Sequence, residues 1–147
     1  HCQCVRCREV KGKAVSTDAL TMDDIVYQAG SAEEHFISYV TPDDKLAGFI
    51  RLSLPKESSP LTGISELDGA ALIREVHVYG QSLAVGAEKA GAAQHAGLGT
   101  RLLEEAERIA KAHGFERMAV ISAVGTRGYY LGRGFERGEL YLTKKLV

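Results

Sequence analysis

Two glycines set just ahead of an amphipathic stretch offer the first chemistry. The segment Gln94-His95-Ala96-Gly97-Leu98-Gly99-Thr100 runs directly into a stretch from Arg101 to His113 with helical spacing. Gly97 and Gly99 carry no side chain, so a ligand's phosphates can come close to the backbone there. The first turn of a helix leaves N–H groups without internal partners, and the helix dipole adds partial positive charge. A glycine turn that opens a helix is therefore an anion site. A dinucleotide loop would carry a third glycine where Leu102 stands, and a P-loop would carry Gly-Lys-Ser/Thr, which is missing. An ordinary tight turn explains the same residues equally well, so context decides.

Three further groups of reactive side chains stand out. Ala71 to Tyr79 alternates as a strand does, with Ile73, Glu75, His77 and Tyr79 on one face and Leu72, Arg74, Val76 and Val78 on the other. Glu75 or His77 could take a proton or orient a water. Equally, Glu75 could pair with Arg74 or Arg127, and His77 could make a structural hydrogen bond. Tyr129-Tyr130 offers phenols able to donate to a leaving group. All three cysteines, Cys2, Cys4 and Cys7, lie together at the start. No distant cysteine is available for a disulfide, and three thiols this close suit a soft ion such as zinc, with His1 or a residue beyond the chain as fourth ligand. The alternative is three reduced, exposed thiols.

The elements that must position these groups read as follows. A meander covers Asp24 to Leu54, with strands at 35–40 and 46–54 around a Thr41-Pro42-Asp43-Asp44 turn. A loop spans 55–69, and the strand 71–79 leads into a long Gly/Ala-rich connection, 80–93. Leu102, Leu103, Ala106, Ile109, Ala110 and His113 follow helical spacing, with charged residues on the other face, and Gly114 ends the helix. A buried strand at 118–122, a short helix near 126–131 and a last strand at 140–146 complete the chain.

The chain has 147 residues, is 45% hydrophobic and 25% charged, and carries a net charge of -1. One soluble domain is expected. The charge argues against a dedicated nucleic-acid binder, although Arg6, Arg8, Lys11 and Lys13 cluster locally. No apolar run approaches the ~18 residues of a membrane span, so no membrane association is expected. The start at His1 suggests a piece of something larger, with no leader peptide.

The order meander, strand, glycine turn with helix, strand, Tyr-Tyr helix, Gly-Phe and final strand resembles a GNAT acetyltransferase domain. Gln94-x-x-Gly97-x-Gly99 resembles that family's pyrophosphate loop, and Tyr129-Tyr130-Leu131-Gly132-Arg133-Gly134-Phe135 its usual ending. Within the family, Arg74-Glu75-Val76-His77-Val78-Tyr79-Gly80, Glu104-Glu105-Ala106-Glu107-Arg108-Ile109-Ala110 and Ala119-Val120-Ile121-Ser122-Ala123-Val124-Gly125-Thr126-Arg127 are similar to the catalytic subunits of Elongator. Cys2-x-Cys4-x-x-Cys7-Arg8-Glu9-Val10 resembles the junction, in prokaryotic members, between their radical S-adenosylmethionine domain and their acetyltransferase-like domain. Ala123 departs from the glycine found there in many members.

The resemblance implies an α/β fold of the α+β type: a mixed, mostly antiparallel sheet flanked by helices, over residues 11–147, after a linker end at 1–10. It implies acetyl-coenzyme A on Gln94, His95, Gly97, Leu98, Gly99 and Thr100, with its pantetheine arm along Glu75, Val76, His77 and Val78. Tyr130 would stand at the thioester sulfur and Tyr129 would turn to the core. The acetyl group would serve carboxymethylation of a tRNA wobble uridine in the cytoplasm. The radical domain of the same polypeptide, with its [4Fe-4S] cluster and S-adenosylmethionine, would lie upstream of these residues, so the piece alone would lack the complete reaction. The N-terminal basic cluster, braced by zinc on Cys2, Cys4 and Cys7, would contact tRNA weakly. A free-standing acetyltransferase of a lysine or small amine, and a non-catalytic acyl-coenzyme A or tRNA-binding module, are the alternatives.

Overall fold

The computed structural model describes residues 2–13, 15–79 and 90–147, with side chains in the last stretch from Gly97 onward. The connection 80–89 and His1 lie outside the described residues, as do the side chains of Gln94 and His95. After a short helix α1 (Val5–Arg8), the chain forms β1 (Thr21–Ala29), β2 (Ala32–Val40), β3 (Leu46–Pro55) and β4 (Ala71–Val78). Then follow α2 (Ala90–Ala112), β5 (Arg117–Val120), α3 (Arg127–Leu131), β6 (Glu136–Arg137) and β7 (Leu142–Lys145). The sheet order is β1-β2-β3-β4-β5-β7-β6.

Neighbouring strands are antiparallel except β4 and β5. A parallel pair needs a long crossover, and α2 lies within it. The expected mixed, mostly antiparallel sheet with flanking helices is present. Gly30, at φ +60, makes the tight β1–β2 turn, so a strand to which the residue pattern gave no bounds, β1, precedes β2, and β2 starts at Ala32 and not at the expected 35.

Leu98, Leu102, Leu103, Ala106, Ile109 and Ala110 form the buried stripe of α2, packed on Ile37, Ile50, Leu52 and Ile73 of the sheet. Helix α2 begins at Ala90, well before the expected start at 101. Gly97 and Gly99 therefore lie inside a helix and not in a turn that opens one. Each glycine costs about 0.8–1.0 kcal/mol against alanine. Four alanines at 90, 92, 93 and 96, together with burial of Leu98, outweigh that cost. Leu102 is fully buried. Leu102→Ala is expected to destabilise the fold by about 2–5 kcal/mol, read as a lower urea midpoint at unchanged slope; a loss under about 1 kcal/mol would contradict this packing.

Strand β5 ends at Val120, and Ile121, expected inside it, is 61% exposed. The reason is the departure of β4: pairing stops at Ile73 with Val120. Glu9 bridges Leu46 and Val10 is buried, so the chain is tied to the sheet before residue 11.

Candidate functional site

Strand β4 continues past its last contact with β5 as far as Val78. Its other edge stays paired with β3 through Gly48 and Val78. Tyr79 N–H points to that paired edge, donating to Ala47 O at 2.8 Å. Strand alternation then turns the N–H and C=O of Val76 and Val78 to the open side. An opening of this kind gives an amide-bearing chain a strand edge to pair with.

A bulge also redirects β4. Leu52 pairs with Ile73 but Arg51 pairs with Glu75, so Arg74 is the extra residue. A bulge interrupts alternation. Ile73 therefore enters the α2-side core, with Val76 and Val78 packed against it, and does not share a face with Glu75 and His77 as the sequence suggested. Glu75 and His77 project from the opposite side of the sheet.

On that opposite side Arg51 Nη1 donates to Glu75 Oε1 at 3.0 Å, and His77 Nε2 lies 3.2 Å from Glu75 Oε2. The ion pair expected for Glu75 is thus made by Arg51, across the bulge, and not by Arg74, which points to Glu34 at 3.5 Å. The His77 ring stacks on Phe49 with centroids 5.1 Å apart. Cys4, just ahead of α1, and Arg8 within it border the same face beside Tyr27, Phe36 and Arg51.

On the α2 side the site is built around Gly99. A Cβ placed there would come 2.6 Å from Tyr129 Oη and 3.5 Å from Val78 Cγ2, whereas one on Gly97 would meet open space. Glycine at 99 is thus required by the approach of Tyr129. Tyr129 Oη is buried without a hydrogen-bond partner among the described residues. Such an orphan is costly and marks a polar site that a ligand can complete. Arg133 lies with its guanidinium 3.5 Å from the Tyr129 ring centroid. It donates to Tyr129 O and to Thr100 Oγ1, each at 2.9 Å. No residue pattern singles out Arg133; its setting between Gly132 and Gly134, close after two tyrosines, is the available signal.

Tyr130 is placed otherwise than expected. It is 7% exposed, sits in the core, and meets Phe135 edge-on at 5.5 Å. Burial pushes its phenol up. The two tyrosines exchange positions because Phe135 N–H returns to Tyr130 O at 3.2 Å, folding the Phe135 ring under Tyr130. Tyr129, about 100° away on the helix, is left facing Gly99.

The three cysteine thiols lie within 4.8 Å of one another. Zn–S bonds of about 2.3 Å in a tetrahedron put sulfurs about 3.8 Å apart, so the donor set fits zinc after small adjustments. The Cys7 N–H, then the Cys2 thiol, pull the Cys4 thiol down to about 7. The Cys4 and Cys2 side chains push Cys7 up. Arg8 of the basic cluster is tied to Asp44.

Residues 8–135 match the acetyltransferase (GNAT) family, and the chain belongs to it. Among curated proteins it is similar to the tRNA uridine(34) acetyltransferase of Dehalococcoides mccartyi, 38% identical over 99% of this chain and 32% of that protein. It is likewise similar to Elongator complex protein 3 of Danio rerio, 39% identical over 99% of this chain and 27% of that protein. Among solved structures, the archaeal Methanocaldococcus infernus Elp3 superposes with a TM-score of 0.80 at 31% identity, over 99% of this chain and 35% of that one. The chain thus spans between about a quarter and a third of the length of these relatives. Membership of the family makes it an acyltransferase domain. Among the described residues no helix is long and apolar enough to cross a membrane.

Proposed function

We propose that this chain binds acetyl-coenzyme A where β4 and β5 part and cleaves its thioester, supplying the acetyl group for carboxymethylation of a tRNA wobble uridine in the cytoplasm. The open β4 edge beside Gly99 and Tyr129 carries this reading. The bound thioester supplies an activated acetyl group. Val76 and Val78 offer backbone amides and carbonyls to the pantetheine arm. The 94–100 segment and Arg133 face the pyrophosphate. Tyr129 Oη, buried without a partner among the described residues beside Gly99, donates to the leaving sulfur in this reading, in place of Tyr130. Glu75 and His77, on the far side of the sheet, handle the proton of the attacking water or acceptor. The similarity to the tRNA uridine(34) acetyltransferase supports tRNA as the acceptor's source. The resemblance of Cys2-x-Cys4-x-x-Cys7-Arg8-Glu9-Val10 to an inter-domain junction is what supports a radical S-adenosylmethionine domain, with its iron–sulfur cluster, in the same polypeptide. That domain lies outside these residues.

Helix interior N–H groups are already engaged by carbonyls four residues back. Pyrophosphate contact by Gln94, His95, Gly97, Leu98, Gly99 and Thr100 therefore requires the first turns of α2 to open when ligand binds. Two substitutions test this together. Gly99→Val should weaken acetyl-coenzyme A binding at least tenfold in calorimetry, since its side chain would push the whole Tyr129 ring, and Arg133 stacked on it, out of the β4–β5 opening. Gly97→Ala meets no neighbour and should raise the stability of an unliganded helix by up to about 1 kcal/mol, while weakening ligand binding if the turn must open. No binding by the unaltered chain would overturn the proposal.

Cys2, Cys4 and Cys7 would hold zinc as a structural brace for Arg6, Lys11 and Lys13, the cluster facing tRNA phosphates. Local basic clusters of this size imply weak, salt-sensitive contact. Zinc is expected to protect all three thiols from alkylation by iodoacetamide, measured by mass spectrometry. Equal labelling with and without zinc would refute the brace.

A further inference from the structure

At the other end of α2, on its own side of the sheet, four side chains meet that the proposed reaction does not use. His35 on β2 is 5% exposed. Its Nδ1 lies 2.8 Å from Asp24 Oδ2 on β1, and its Nε2 lies 3.0 Å from Glu33 Oε1. His113, just past α2, places its Nε2 3.0 Å from the same Glu33 oxygen, and its Nδ1 2.9 Å from Ile109 O. By helical rise, His113 is about 21 Å from Gly99.

A carbonyl only accepts, so His113 Nδ1 carries the hydrogen and donates it to Ile109 O. In the neutral ring its Nε2 then presents a lone pair, 3.0 Å from the Glu33 oxygen that His35 Nε2 also faces. In the His35 tautomer that donates from Nδ1 to Asp24, Nε2 presents a lone pair as well. Two imidazole nitrogens and one carboxylate oxygen then converge, the donor set of a cation site. Each imidazole's far nitrogen is fixed by an acceptor, which is the arrangement that orients histidines toward metals. Tetrahedral bonds of about 2.0 Å put N and O ligands about 3.3 Å apart, so the 3.0 Å spacings need open only slightly.

We propose that Glu33, His35 and His113 form a binding site for a divalent first-row transition metal, zinc above all, with Asp24 and the Ile109 carbonyl orienting the two imidazoles. The donor set of two imidazoles and one carboxylate suits zinc and disfavours the all-oxygen ions calcium and magnesium. Glu33 and His113 also line a cleft of about 580 Å³ together with Leu54, Lys56, Leu67 and Phe115. The fourth position is therefore reachable by water or a small anion from that cleft. The metal would pin the C-terminal end of α2 to the β1–β2 hairpin. This site is independent of the acetyl-coenzyme A reading and stands or falls separately.

The test uses the chain with Cys2→Ser, Cys4→Ser and Cys7→Ser, which silences the thiols. Cobalt(II) titration should give visible absorption bands saturating at one equivalent, displaced by zinc. Zinc should raise Tm in the same background. His113→Ala, at a half-exposed position, should abolish the cobalt spectrum, and Glu33→Gln should weaken binding at least tenfold. Asp24→Asn should raise Kd by about 10–100-fold, the range seen when an orienting partner is lost. His113→Gln serves if His113→Ala misfolds. No saturable binding at micromolar metal, or binding undiminished by the His113 substitution, overturns the site. Stabilisation by acid alone, with no metal response, assigns the cluster to two imidazolium ions and also overturns it.

Discussion

Tyr129→Phe is expected to slow acetyl-coenzyme A thioester cleavage by about 10²-fold or more, the usual worth of a positioned proton donor, while changing acetyl-coenzyme A affinity by no more than roughly twofold. The expectation rests on the one buried hydroxyl at the β4–β5 opening that lacks a partner among the described residues. Arg133 stacks on the ring and donates to the backbone of the same residue, so the phenol is held and not free to swing. A developing thiolate is the acceptor that such a donor lacks. Removing an unpaired hydroxyl should not harm the fold, since a buried polar atom without a partner costs free energy. Tyr130→Phe should leave turnover intact, because that ring packs on Phe135 inside the core. The measurement is release of free coenzyme A thiol, with tRNA present, at saturating acetyl-coenzyme A. The opposite ranking would return the role to Tyr130.

The tyrosine pair shows where residue order stops being informative. Adjacent residues on a helix point about 100° apart, so the sequence establishes that one faces in and one out. Which does so depends on where Phe135 returns, a contact made through the Tyr130 carbonyl. The bulge at Arg74 is a similar case. Strict alternation put Ile73 beside Glu75, but an extra residue on one strand is invisible without the partner's register. The same bulge explains why Glu75 meets Arg51, a residue 24 positions away, and not its sequence neighbours.

What periodicity could supply, it did. The α2 stripe and the β2–β3 meander follow from local spacing, because burial on one face leaves a repeat in the sequence; the mixed sheet, with its parallel β4–β5 pair, was carried by the family resemblance and not by spacing. The helix start was misjudged because Gly97 and Gly99 argued for a turn while the alanines before them argued for helix. The Glu33–His35–His113 cluster left no pattern to find. His35 and His113 are ordinary residues in a strand and at a helix end until the sheet and α2 bring them together.

The face of the sheet turned away from α2 makes the second large expectation. His77→Ala should lower kcat for thioester cleavage by about 10²–10⁴-fold, with little change in acetyl-coenzyme A affinity. With Nε2 donating to Glu75, the Nδ1 lone pair is left to accept a proton. Phe49 stacks under the ring, and Arg51 holds the Glu75 carboxylate in place, so the imidazole is oriented from two sides. Glu75→Gln keeps an oxygen for that contact and should cost about tenfold, less than loss of the imidazole, because its part is to orient His77. Added imidazole should restore part of the activity of His77→Ala, a readout that a purely structural histidine would not give. Full thioester cleavage in both variants would show that the Arg51–Glu75–His77 chain only ties β3 to β4, and that the proton leaves by another route.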